Sequence, residues 1–434
     1  MFNISWNKMN KFDDLILLQI FSYLPLISLN KLKQVNKRWL KLIDETLEKR
    51  REFQIYTYSH ETSLEIDNFI IDFKLNLINN LNSFISNQPD LFVYFLSQNF
   101  YSKQSIRDEK HKYLANISNQ ISSNLPSMNS IKLIISSQGF IHDRYYLSNE
   151  SSLSSTPAIG GLLLSNQSNS FRFIAKQLIN EHEILRDIRK ASELYSFFGI
   201  DSNNESIRFM LILKNRLTHL NSSLEAHLSI FLDNLNKMKC ENSLKDLIVN
   251  GCTINDAFLS NTNDSFCYNK QKEITFLLFL TKATNNDCVN LSQIVIPGQQ
   301  TDDYIIESYF TKTKNNKTKK SLANYIKMYP RDEQFVDHDI IRQCKLNQLK
   351  LNHFGMANKY KFNLIFHTIT ESKLNKLNEI DEFIKLNLDN NVNSSRIIGL
   401  VGYNDGFIGH DSLQNDFIRF YFEECSSFTI ISFK

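Results

Sequence analysis

Apolar residues crowd every side of the first patterned segment of the chain. In residues 13–24, Leu15, Ile16, Leu17, Leu18, Ile20, Phe21 and Leu24 spread around nearly the whole circumference of a helix, so burying them takes more than one packing partner. Asp13 and Asp14 suit a helix start, and Pro25 discourages further helix. Beyond the Pro25–Leu26 turn, Ser28 is placed to cap a second helical stretch. In it Leu29, Leu32, Val35, Trp39 and Leu42 recur at three- and four-residue spacing. Lys31, Lys33, Lys37, Arg38 and Lys41 fill its other positions, a basic face suited to solvent or to an acidic partner. A unit of about 40 residues rarely holds a self-sufficient core. Each large apolar side chain left uncovered forgoes roughly 1.5 to 3 kcal/mol, so docking against another surface is expected.

From about residue 53 the pattern changes to short apolar runs separated by helical spacing. The runs at 91–96, 131–135, 209–213, 247–249 and 274–280 predict buried strands; the stretches 66–87, 174–197, 222–239 and 373–387 predict helices. An α+β or α/β class is favoured over either pure class, and α+β is the expectation taken forward. The region divides into two halves, 53–205 and 206–434. The first holds a turn-rich passage from Ser154 to Gly161 ahead of Leu162, Leu163 and Leu164; the second has a Gly-containing turn at Asn250-Gly251-Cys252. Without a low-complexity linker between them, the halves are expected to share an interface.

Gly399, Gly402, Gly406 and Gly409 are four of only eleven glycines in the chain, and they fall in one short stretch between apolar segments. Asp405-Gly406 is a tight-turn signal, and the spacing is not that of a nucleotide-binding loop, because Phe417 to Phe422 read as strand where a phosphate loop needs a helix. Two expectations stand side by side: tight turns at a sheet edge, or a ligand-facing loop. His410 and Asp411 beside it read first as a surface turn.

Composition narrows the function classes. A hydrophobic content of 42% with 33 Phe argues for a folded chain, and a net charge of +3 supplies no global field for nucleic acid or membrane binding. The opening residues lack the apolar core of a signal peptide and no span is long enough to cross a bilayer, which makes a soluble intracellular protein the expectation. The six cysteines are scattered without a C-x-x-C pair and are expected as buried thiols, with no metal and no cofactor. The major hydrolase and nucleotide-binding motifs are absent from the sequence. His182-Glu183 has no second His four residues later, and His219, His227 and Cys252 could meet only in three dimensions. The run from Lys312 to Lys320 is expected as an exposed loop and leaves nuclear import open, so the compartment expected is cytoplasm, with nucleus as the alternative.

Leu24-Pro25-Leu26 followed by Val35-Asn36-Lys37-Arg38-Trp39 resembles the F-box family, over residues 9–52. The family's opening Leu-Pro pair is replaced by Lys11-Phe12. The resemblance implies a three-helix module that binds a Skp-type adaptor and, through it, a cullin scaffold. It places Leu15, Leu18, Ile20, Leu24, Pro25, Leu26, Val35 and Trp39 at the adaptor. The stretch from Ile397 to Asp411 resembles the C-terminal motif of FIST sensory domains, with Phe407 where that family's turn carries Glu. Together they imply an F-box joined to a two-part FIST-like region, 53–205 and 206–434, in a non-catalytic receptor subunit of a ubiquitin ligase that binds an unidentified substrate protein. The alternative implied is an intracellular small-molecule sensor, with Gly402, Asn404, Asp405, Gly406 and Gly409 at its ligand.

Overall fold

Helix, break, helix, break, helix is the order at the N-terminal end of the computed structural model: α1 (Asp14–Ser22), α2 (Leu26–Leu32) and α3 (Lys37–Lys49). The structure describes residues 12–24, 26–49, 54–61, 91–97, 131–142, 145–148, 158–165, 171–179, 181–216, 222–241, 244–260, 272–282, 289–296, 304–310, 324–330, 362–370, 395–411, 417–421 and 426–433. The stretch expected as one helix from Ser28 to Leu42 is two, and Asn36 is the reason. Its side-chain Oδ1 accepts the Trp39 backbone N–H at 2.8 Å and its carbonyl accepts that of Leu40 at 3.0 Å, so a new helix starts there. Ser28 lies inside α2 rather than ahead of it. Leu17, Phe21, Leu29, Leu32, Trp39, Leu42 and Ile43 form the buried core of this module, with the Phe21 and Trp39 rings edge to face at 5.4 Å.

The remainder is built on two larger sheets. A five-stranded sheet runs in the order β1 (Gln54–Glu61), β6 (Ala158–Ser165), β2 (Leu91–Ser97), β3 (Ile131–Ser137) and β10 (Asp256–Ser260). An eleven-stranded sheet follows the path β12 (Val289–Ile296), β18 (Ser426–Phe433), β15 (Phe362–Thr370), β16 (Ser395–Asp411), β9 (Ile248–Ile254), β8 (Glu205–Asn215), β11 (Lys272–Lys282) and β7 (Phe171–Ile179). To it are attached β17 (Phe417–Tyr421), β4 (Gly139–His142) and β5 (Tyr145–Ser148). A separate antiparallel pair joins β13 (Tyr304–Phe310) to β14 (Asn324–Pro330). Among the described residues the helices of this region are α4 (Ala191–Phe198) and α5 (Ser222–Cys240), with a 3₁₀ turn at His182–Asp187. The architecture is mixed α+β.

Strands buried on both faces explain the continuous apolar runs. From β8, Phe209, Leu211 and Leu213 enter one core with Leu133, Ile135 and Phe95 of the five-stranded sheet; Met210 and Ile212 enter another beneath α4 and α5. Residues of β11 divide the same way, Leu277 and Phe279 against Phe276 and Leu278. The two sequence halves exchange strands. β10 extends the sheet of the first half by pairing with β3, β7 pairs with β11, and the 205/206 boundary falls within β8.

Three expectations give way to strand pairing. Residues 171–179 are strand, because β7 pairs along its length with β11, and helix is confined to 191–198. Ala158–Ser165 is strand rather than turn, with Gly160 lying so close to the Phe140 ring that a Cβ would overlap it. Asn250-Gly251-Cys252 lies within β9, where a Cβ on Gly251 would strike the Ile212 carbonyl of the neighbouring parallel strand. The helices expected at 66–87 and 373–387 and the run from Lys312 to Lys320 lie outside the described residues. No helix among the described residues is long and apolar enough to cross a membrane.

Candidate functional site

The helical module divides its apolar residues between core and surface. Leu15 is 74%, Ile16 47% and Tyr23 76% exposed along α1, and Val35 and Leu40 are also exposed. Leu18, Ile20 and Leu24 are half-buried against the core, Leu26 opens α2, and Pro25 lies outside the described residues. Trp39 differs from the sequence expectation. It is wholly buried in the module's own core, because the Asn36 cap turns the start of α3 inward, so it shapes the surface without forming it. The basic face is partly engaged within the module. Arg38 Nη2 lies 2.6 Å from Asp14 Oδ1 and donates to the Phe12 carbonyl at 2.6 Å, while Lys33 pairs with Asp44 at 2.8 Å. These exposed pairs contribute little net energy individually, but Arg38 ties the start of α1 to α3.

The glycine-rich segment is neither a turn nor an exposed loop; it is the 17-residue strand β16. Its first part pairs in parallel with β15 and antiparallel with β4, and its last part pairs with β17 and β9. Tyr403 faces Thr253 and Phe407 faces Cys252, so consecutive residues of β9 are matched by residues four apart on β16. Residues 404–406 are therefore a bulge, which lets one strand leave one set of neighbours and join another. Positive φ among the described glycines occurs at Gly199, not in this segment. The glycines permit close approach instead. A Cβ on Gly399 would overlap the His367 carbonyl oxygen, and one on Gly402 would lie 2.7 Å from Cys252 Cβ. Gly402, Gly406 and Gly409 are buried, and Asn404 and Asp405 lie on the bulge. Beside it the Tyr403 hydroxyl donates to Asn255 Oδ1, and the Arg216 guanidinium carbon lies 3.9 Å from the Tyr403 ring centroid.

A polar seam crosses the interior next to this strand. Asn250 Nδ2 donates to Thr368 Oγ1 at 3.0 Å and Thr429 Oγ1 at 3.3 Å, and Gln293 Nε2 reaches Thr429 Oγ1 at 3.1 Å. Asn250 Oδ1, Gln293 Oε1, Thr253 Oγ1 and Ser427 Oγ are buried with no hydrogen-bond partner among the described residues. Buried polar atoms in that state ordinarily hold water or a ligand. No periodicity announces this seam, because each residue alternates with apolar neighbours in an ordinary strand pattern.

His227 lies beside His182, which was not among the residues expected to meet it, with ring centroids 5.1 Å apart. His227 is held below the ordinary imidazole range, first by burial and then by the charges of His182 and Arg186. Cys252 packs in the other core, and His219 lies outside the described residues. Glu273 and Ser223, which carried no signal in the sequence, join the His182 group. Among the described residues no cluster of three or more His, Cys, Asp or Glu could hold a metal ion.

An F-box-like family model matches residues 14–54. No curated protein sequence matches the chain. Among solved structures, a chorismatase resembles it with TM-score 0.36 and 5% identity, over 87% of this chain and 98% of that one. A cyanuric acid hydrolase from A. caulinodans resembles it with TM-score 0.38 and 6% identity, over 88% of this chain and 99% of that one.

Proposed function

We propose, from the F-box-like domain at residues 14–54, that the chain is the substrate-recognition subunit of a Skp–cullin–F-box ubiquitin ligase. F-box-like domains in general bind Skp-type adaptors. The observation that carries the reading to this chain is the surface of that domain, where Leu15 and Ile16 on α1 and Tyr23 at its C-terminal end stand exposed. Leu18, Ile20, Leu24, Pro25, Leu26 and Val35 would complete the adaptor contact, with Trp39 holding the helices beneath them. The sheet region would bind the target protein, in the domain order of F-box only protein 22, with FIST-like parts at 53–205 and 206–434. In ubiquitin transfer the chain would contribute proximity rather than covalent chemistry. Cytoplasm, with nucleus as the alternative, is the compartment such a role implies, and neither nucleic acid nor membrane is needed as a partner.

Co-purification with a Skp-type adaptor tests this, comparing the natural chain with Leu15→Asp/Ile16→Asp. Both side chains are exposed, so the change leaves the core intact. Loss of an otherwise stable complex supports the reading; an adaptor that ignores both forms removes it.

The polar seam favours a second reading, an intracellular small-molecule sensor. Asn250 Oδ1 and Gln293 Oε1, on two side chains that meet at Thr429, are buried with no hydrogen-bond partner among the described residues. A thermal-shift screen with free amino acids, run against Asn250→Leu, tests it. Stabilisation of the natural chain alone is the expected result, and identical melting of both forms with every compound removes it.

A further inference from the structure

We propose that Ser223, His182 and Glu273 form a triad that transfers the acyl group of small carboxylic esters to water, an activity separate from adaptor docking. The Ser223 Oγ lies 2.9 Å from His182 Nε2, and His182 Nδ1 lies 2.7 Å from Glu273 Oε1. These are the contacts a serine nucleophile, its base and an orienting carboxylate require. The carboxylate takes Nδ1–H, which leaves Nε2 as the acceptor of the serine proton.

The surroundings are built to keep that order. Glu273 is the residue inserted where the register of β11 against β7 slips, Lys272 facing Ile179 and Ile274 facing Leu178. Such a bulge re-aims a side chain out of the ladder. Its second oxygen accepts the His182 backbone N–H at 3.2 Å, so both carboxylate oxygens hold the same histidine. Glu273 is 3% and His182 8% exposed, which strengthens their interaction and excludes competing water. His227, also buried, packs against the His182 ring, and its Nδ1 has no hydrogen-bond partner among the described residues. Ser223 is half-buried in the first turn of the 19-residue helix α5, where the helix field favours negative charge developing on a substrate oxygen.

In the first step Ser223 Oγ bonds to the ester carbonyl carbon while its proton passes to His182 Nε2, and the carbonyl π pair moves onto oxygen. Collapse breaks the bond to the alcohol oxygen, which leaves with the proton from Nε2. Water then attacks the acyl-serine by the same proton path, releasing the carboxylic acid and restoring Ser223. No electrons are gained or lost. Ser223 and His182 are the catalytic residues; Glu273 is a positioning residue.

The test uses the full chain with p-nitrophenyl acetate as substrate and a fluorophosphonate as covalent probe, mapped by mass spectrometry. The expected result is probe on Ser223, with turnover falling about 10²-fold or more in Ser223→Ala and in His182→Gln. Glu273→Gln should lower kcat with KM unchanged in protein that melts cooperatively. Melting curves of Ser223→Ala, which removes one half-buried oxygen, separate lost chemistry from lost fold. Natural chain that turns over ester no faster than folded Ser223→Ala, or probe that labels elsewhere, overturns the proposal and leaves Ser223 as a helix-start hydrogen bond.

Discussion

Asn36 caps the helix whose first turn carries Trp39, its Oδ1 accepting the Trp39 backbone N–H at 2.8 Å. The two residues of one short signature therefore act together, one stopping the preceding turn and the other filling the core that results. Asn36→Ala should cost about 0.5–2 kcal/mol of module stability in urea denaturation. Trp39→Ala should cost about 3–5 kcal/mol and lose adaptor binding by unfolding. An Asn36→Ala chain as stable as the natural one would show the cap to be idle.

Surface and core substitutions in the module should separate cleanly. Leu15→Asp/Ile16→Asp should leave the denaturation midpoint nearly unchanged, since surface changes ordinarily stay within about 0.5 kcal/mol, while binding is lost. Equal loss of stability and binding would instead put these residues in a core.

Gly402 lies against Cys252 with no room for a methyl group. Gly402→Ala should destabilise the chain by about 1–3 kcal/mol, and Cys252→Ala in the same chain should return part of that loss. Additive losses in the double variant would mean the two positions do not meet.

Asn250 reaches Thr368 and Thr429 across the interior. Asn250→Ala takes the amide partner from the Thr368 hydroxyl, while Thr429 keeps Gln293, and should cost about 1–3 kcal/mol in chemical denaturation. A neutral change would mean that the hydroxyls are served by other groups.

His227 binds its proton less readily folded than unfolded, because burial and the neighbouring charges lower its pKa from the ordinary 6.5. The unfolded chain therefore holds more protons between the lowered value and about 6.5. This contribution to stability is present above that window, falls as pH drops through it, and levels off below. His227→Phe keeps a ring against His182 without the titration, so urea midpoints from pH 7 down to pH 5 should fall less steeply in the variant. Identical slopes would assign the acid sensitivity to other groups.

Runs such as Leu91–Leu96, Phe209–Leu213 and Ile274–Leu280 declared themselves as strands because they are buried on both faces, which leaves them almost wholly apolar, Thr275 apart. The helix Ser222–Cys240 and the first helix of the N-terminal module were legible from their local apolar spacing, whereas the break at Asn36 was not. Sequence by itself determined the α+β class, the positions of these elements and the F-box-like character of the N-terminal module, read over 9–52 and matched by the family model over 14–54. Only the tertiary structure decided that the glycine-rich segment is a bulged strand, since its neighbours β4 and β9 come from across the chain. Only it could bring His182 to Glu273, 91 residues away, and Asn250 to Thr429, 179 residues away. The period of apolar residues reports which face of an element is buried. It carries no information about which distant strand or side chain is buried against it, and that choice rests on pairing and packing summed over the whole fold.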